Sequence, residues 1–211
     1  GPTVIFPAAI AIKLFGFSIL IARIPFAILT CITSLIVYRY TLRISDRTAA
    51  RLATGLLISF SAFVNTGKPV LGEIPAFFFL LLAIVVLHSA KSTWQYGVAG
   101  ALLGLSVISK ITFGIIYPAL GVVGILILCM RKWKEFRQWF VVGGVALVTF
   151  GLWRVFEMTS APGAFMEILQ YGLAEGGSET FQVLRSQPEL LLRFPYLYFG
   201  CLLILSTIGL W

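Results

Sequence analysis

VLGEIPAFFFLLLAIVVL, residues 70–87, is an 18-residue run whose single ionisable side chain is Glu73. As a helix it would rise about 27 Å at ~1.5 Å per residue, close to the ~30 Å hydrocarbon thickness of a bilayer. Its apolar residues follow neither the helical nor the strand period, so no polar face is set aside for water. The stretch therefore reads as a membrane-spanning helix.

Similar runs lie on both sides, at about 18–40, 49–64, 94–108, 111–130 and 139–156, and a last one from about residue 190 is cut off at Trp211. The chain of 211 residues is 59% hydrophobic and 11% charged, with mean hydropathy +0.99, against about 25% charged residues in an ordinary soluble domain. Such a composition cannot cover a globule with polar surface. The expected fold is all-α: one transmembrane helical bundle over 1–211 with about six complete or partial spans and a truncated last one. Residues 1–17 are expected to contribute a helix at the membrane interface, since 4–16 is apolar but too short to cross.

Charge sets the orientation. Loop 38–51 carries four arginines against Asp46, and loop 131–138 carries Arg131, Lys132, Lys134 and Arg137 against Glu135, each net +3. The long polar segment 158–190 holds Glu167, Glu175, Glu179 and Glu189 against Arg185, net −3. The two basic loops fall on one side and the acidic one on the other. By the positive-inside rule the basic side is cytoplasmic, leaving 158–190 and the turns at 65–72 and 109–112 outside. Within 158–190, Pro162 suits a helix start, Phe165, Ile168 and Leu169 share a face, and Gly172 suits the end. The following AEGGSE predicts a flexible stretch. Ser45 or Asp46 is placed to cap the second span. Gly100 and Gly104, four apart, predict close approach of a neighbouring helix.

Several functions are excluded. The +8 net charge sits in inter-span loops rather than on an aromatic-laced soluble surface, so nucleic acid is not the partner; membrane lipids are. There is no Walker A loop, no H-E-x-x-H, no G-x-S-x-G and no GxGxxG. Cys31, Cys129 and Cys201 lie in apolar runs without metal-type spacing. His88 has no second ligand in register and reads as an ordinary residue of a helix end.

The charges that need an explanation are those on the outward side: Lys13, Arg23, Lys68, Glu73 and Lys110. Glu73 enters an apolar helix without a basic neighbour in it. Two readings stand: an acid favoured by the helix N-terminus, or a carboxylate facing a cavity or partner. Lys68 and Lys110 are interfacial lysines by one reading and point charges for a phosphate by the other.

The order of these features resembles a known family. GPTVIFPAAIAIKLFG (1–16) followed by ARIPFAILTCITSLIVYRY (22–40), NTGKPVLGEIPAFFFLLLA (65–83) and AGALLGLSVISKITF (99–113) are similar to successive segments of GT-C fold glycosyltransferases. The likeness is to bacterial enzymes related to protein O-mannosyltransferases and lipid A aminoarabinose transferase, and it covers about residues 1–130. It implies an enzyme of the bacterial cytoplasmic membrane, an inverting transferase. A sugar would pass from a polyprenyl-phosphate donor to a lipid, glycan or protein acceptor on the outer face. A carboxylate would deprotonate the acceptor or hold a divalent metal ion, the one cofactor the resemblance allows, and cations would stabilise the departing phosphate. Glu73 occupies the family's second acidic position and is the candidate catalytic residue. Lys68, Lys110, which matches a "TK" lysine, and Pro2, which falls on a Pro-rich stretch, are candidate substrate-binding residues. The family's best-recognised acidic residue precedes that stretch, so this chain is expected to be a fragment that is inactive alone. The rival readings are a secondary transporter and a non-catalytic membrane subunit; no inverted repeat or paired unwound helices support the former.

Overall fold

A computed structural model describes residues 1–60, 63, 70 and 72–160. The helix packing lies within the unit Gly1–Arg154; a second unit, Val155–Trp211, is described only as far as Ser160. The last apolar run, the acidic segment from residue 161 and Lys68 lie outside the described residues.

Every element among the described residues is helical: α1 Pro2–Phe15, α2 Ile19–Ile44, α3 Arg47–Ser59, α4 Glu73–Ser89, α5 Thr93–Ser109, a 3₁₀ stretch Ile111–Ile115, α6 Ile116–Cys129 and α7 Trp133–Ser160. Local chemistry places the ends. Ser18 accepts from the Leu20 N–H and opens α2. Asp46, rather than Ser45, accepts from the Ala49 N–H at 2.7 Å and opens α3. The Gln95 side chain takes the Lys91 and Ser92 N–H groups at the start of α5. Pro118 lies in the first turn of α6, because the preceding residues are 3₁₀ and the α-helix begins only at Ile116; an N–H is least missed there.

Two expected loops are mostly helix. α2 runs on through Arg39 and Arg43, leaving only Ser45 and Asp46 between helices. The second basic cluster shrinks to a turn in which Arg131 (φ 56) donates to Leu128 and Lys132 to Ile127, and α7 then starts at Trp133. Helix N–H and C=O groups satisfy each other, so a helix prolonged past the lipid boundary leaves fewer orphaned groups than a loop would.

Among the described residues three helical segments are long and apolar enough to cross a bilayer: Ile19–Ile44, Ile111–Cys129 and Trp133–Ser160. α4 and α5, of 17 residues each, stand at the lower limit of ~17 for a span. α3 has 13 residues, and most of 61–71 lies outside the described residues. The surfaces of the long segments stay apolar and exposed, as at Leu20 and Phe140, which suits lipid rather than water as solvent.

α5 is the centre of the bundle. Ala99, Gly100, Leu103, Gly104, Ser106, Val107, Ile108 and Ser109 are all buried. On one side α4 packs along it, tied by the Ser106 hydroxyl donating to the Ala76 carbonyl at 2.8 Å. On another, Gly100 and Gly104 admit α7. A Cβ at Gly104 would stand 2.6 Å from Cβ of Thr149 and 2.9 Å from the Ala146 carbonyl, and one at Gly100 would run into the Val142 carbonyl. The expected close approach is therefore present. α6 joins through Tyr117, whose hydroxyl donates to the Ala146 carbonyl at 3.2 Å.

These contacts fix the helix directions. Gly100 faces Val142 and Gly104 faces Ala146, so α5 and α7 run parallel. Tyr40 meets His88 edge-on at 5.6 Å, so the C-termini of α2 and α4 share an end. Both basic clusters consequently lie at one end of the bundle, and the N-terminus of α4 lies at the other.

Candidate functional site

Glu73 is the first residue of α4 and Lys110 the residue that ends α5. The Lys110 Nζ stands 2.8 Å from Oε1 of Glu73, with the two side chains 37% and 30% exposed. The backbone makes this approach possible. Gly72 is buried directly against the end of α5, where a Cβ would run into the Ser109 carbonyl. Any larger residue would push the start of α4 away and part the two charges.

The start of α1 closes the same end. The Thr3 hydroxyl donates to Oγ of Ser109 at 2.7 Å, and that hydroxyl donates to the Leu105 carbonyl at 2.7 Å. Gly1 abuts the Ile108 carbonyl closely enough that a Cβ could not fit. Pro2, between them, occupies the first helical position, where its fixed φ and missing N–H cost nothing. At its other end α1 borders a cleft of about 210 Å³ lined by Ile12, Phe17, Ser18, Ala22, Arg23 and Val70, among others. Since Val70 leads into α4, both ends of α1 lie at the Glu73 end of the bundle.

The ion pair itself adds little to folding stability. At about a third exposed, such a pair contributes about 1 kcal/mol or less to folding. Oε2 of Glu73 is buried and has no hydrogen-bond partner among the described residues.

The described residues do not by themselves make a metal cradle. Among the described residues no three His, Cys, Asp or Glu side chains converge, and Oε1 of Glu73 already faces an ammonium. Of the four residues singled out from sequence, the structure brings Glu73 and Lys110 into contact and sets Pro2 against the same helix end through its neighbours. The place of Lys68 lies outside the described residues. His88 sits at the opposite end against Tyr40. Gly72, Thr3, Ser106 and Ser109 were not legible as site residues. Serine and threonine in apolar helices ordinarily bond back to their own turn, as Thr30, Thr33 and Ser34 do here.

A bundle of long apolar helices, with the Glu73–Lys110 pair at one end and the basic clusters at the other, is that of a helical integral membrane protein. The family model described as dolichyl-phosphate-mannose-protein mannosyltransferase matches residues 1–153 of the 211, so the chain belongs to that family of membrane glycosyltransferases, which use polyprenyl-phosphate sugar donors. Comparison with curated proteins and with solved structures gave no match.

Proposed function

We propose that this chain forms part of the site at which a sugar passes from a polyprenyl-phosphate donor to an acceptor hydroxyl or amine on the non-cytoplasmic face, with inversion at the anomeric carbon. The observation that carries the reading is the 2.8 Å pair of Glu73 and Lys110, at the bundle end away from the basic clusters. Transfer needs a base for the acceptor and a cation for the leaving phosphate, and this pair supplies one of each. Glu73 takes the acceptor proton as the acceptor atom bonds to the anomeric carbon. The bond from that carbon to the phosphate oxygen breaks, and polyprenyl phosphate leaves with its charge against Lys110. Because an ammonium lowers the basicity of the carboxylate beside it, a donor phosphate that draws Lys110 away also makes Glu73 the better base. Pro2 and Thr3 wall the same end and restrict how the acceptor enters; Lys68 is a second candidate cation.

The test is sugar transfer by the full-length protein from a polyprenyl-phosphate donor in proteoliposomes. Glu73→Gln keeps shape and removes the base, and it should abolish most transfer while donor binding persists. Undiminished transfer would end this assignment.

A further inference from the structure

At the bundle end opposite Glu73, the first two turns of α7 border an open cleft of about 620 Å³ lined by Trp133, Lys134, Phe136, Arg137 and Phe140. This feature plays no part in the proposed transfer. Trp133, Phe136 and Phe140 follow the i, i+3, i+7 spacing of one helical face. Their rings form a continuous strip, with Trp133 edge-on to Phe136 at 6.2 Å and Phe136 tilted to Phe140 at 6.4 Å. Phe136 anchors the strip by resting over Gly124 of α6. Trp133 and Phe140 stay 67% and 70% exposed.

Two cations border the strip. Lys134 and Arg137 are three residues apart, so both reach the cleft from adjacent turns. The single acid of the cluster is not a lining residue; the Glu135 carboxylate turns to Lys132 at 3.5 Å. The cleft thus combines an aromatic wall with uncompensated positive charge at the level where α7 leaves the apolar layer. Rings of this kind sit at the glycerol and upper acyl level of a bilayer, and lysine and arginine beside them meet phosphates.

We infer that this cleft binds one anionic glycerophospholipid of the leaflet that the basic end faces, its phosphate between Lys134 and Arg137 and its upper acyl chain along Trp133, Phe136 and Phe140. Charge complementarity decides the occupant. A zwitterionic lipid would bring its own cation against Lys134 and Arg137 and gain little there. Arg47 and Arg51, of the other basic cluster, do not line this cleft.

Native mass spectrometry of the full-length protein in detergent, titrated with phosphatidylglycerol and phosphatidylcholine of matched chains, tests this. Retention should favour phosphatidylglycerol by about tenfold or more, as expected for two headgroup-level cations. Lys134→Gln with Arg137→Gln should bring the preference near unity, while Arg47→Gln with Arg51→Gln, an equal loss of charge, should leave most of it. Should the first double variant fold poorly, brominated phosphatidylglycerol gives a second readout. It should quench a component of the emission that Trp133→Phe removes, and brominated phosphatidylcholine should not. Equal retention of the two lipids, equal losses in the two double variants, or quenching indifferent to Trp133 would overturn the assignment. So would displacement of phosphatidylglycerol by equimolar polyprenyl phosphate, which would make the cleft a carrier-lipid site.

Discussion

The carboxylate of Glu73 and the ammonium of Lys110 meet at 2.8 Å where the first residue of α4 touches the residue that ends α5. The contact closes an antiparallel helix pair whose other tie at that end is the Ser106 hydroxyl on the Ala76 carbonyl. Charge and hydrogen bonding therefore hold the same junction, and the start of α1 rests on it through Thr3 and Ser109.

If Glu73 is the base, Glu73→Gln should lower transfer in the full-length protein by about two orders of magnitude, the usual range for losing a general base. Expression and thermal stability in detergent should remain near wild type, because the pair is partly exposed. Glu135→Gln is the control. Its carboxylate makes a looser, half-exposed pair with Lys132 at the other end of the bundle, and its loss should leave transfer unchanged.

Lys110 should separate from Glu73 in kinetics. Lys110→Met is expected to lower kcat/KM for the donor by roughly 10²–10³, as for loss of one group stabilising developing charge. Lys110→Arg keeps a cation and should recover much of it. A Lys110→Met enzyme with normal donor kinetics but a lowered melting temperature would mark the lysine as an anchor of the helix pair and nothing more.

The two glycine classes of α5 should respond differently. Gly104→Val places side-chain atoms where Thr149 and Ala146 already stand and should destabilise the protein by about 1–3 kcal/mol, the common range for overpacking. Gly97→Ala meets nothing within 4 Å and should be tolerated. The measurement is reversible unfolding in mixed micelles, where similar losses for both would refute a close α5–α7 contact.

Orientation is open to labelling. With Cys31, Cys129 and Cys201 replaced by alanine, Ser45→Cys and Lys132→Cys should resist a membrane-impermeant thiol reagent added to intact cells. Ser178→Cys, in the acidic segment, should react. The opposite pattern would turn the Glu73 end toward the cytoplasm and remove the basis for transfer on the outer face.

Much of this architecture was legible from composition alone. Lipid acts on each residue separately, so a long apolar run announces a spanning helix whatever its partners are. Charge likewise segregates residue by residue, and the separation of the Arg39–Arg43 and Arg131–Arg137 clusters from Glu73 could be read by counting helices. The spacing of Gly100 and Gly104 also signalled close approach of a neighbouring helix, though not that the neighbour is α7. Helix ends were less legible. α2 and α7 absorb basic residues that look like loops, since a helix satisfies its own backbone better than a loop does.

Only the tertiary structure decided which cation meets Glu73, how α1 sits across its end of the bundle, and that Lys134, Arg137 and three aromatic rings share one cleft. The physical reason is that helices in lipid are apolar on every face, so periodicity does not reveal which face meets which neighbour. Register is set instead by a few close approaches, such as Gly72 on the Ser109 carbonyl and Gly104 on Ala146. Those depend on the shapes of two helices at once. The sequence led to the expectation that Glu73 and Lys110 lie toward the same side; packing joined them.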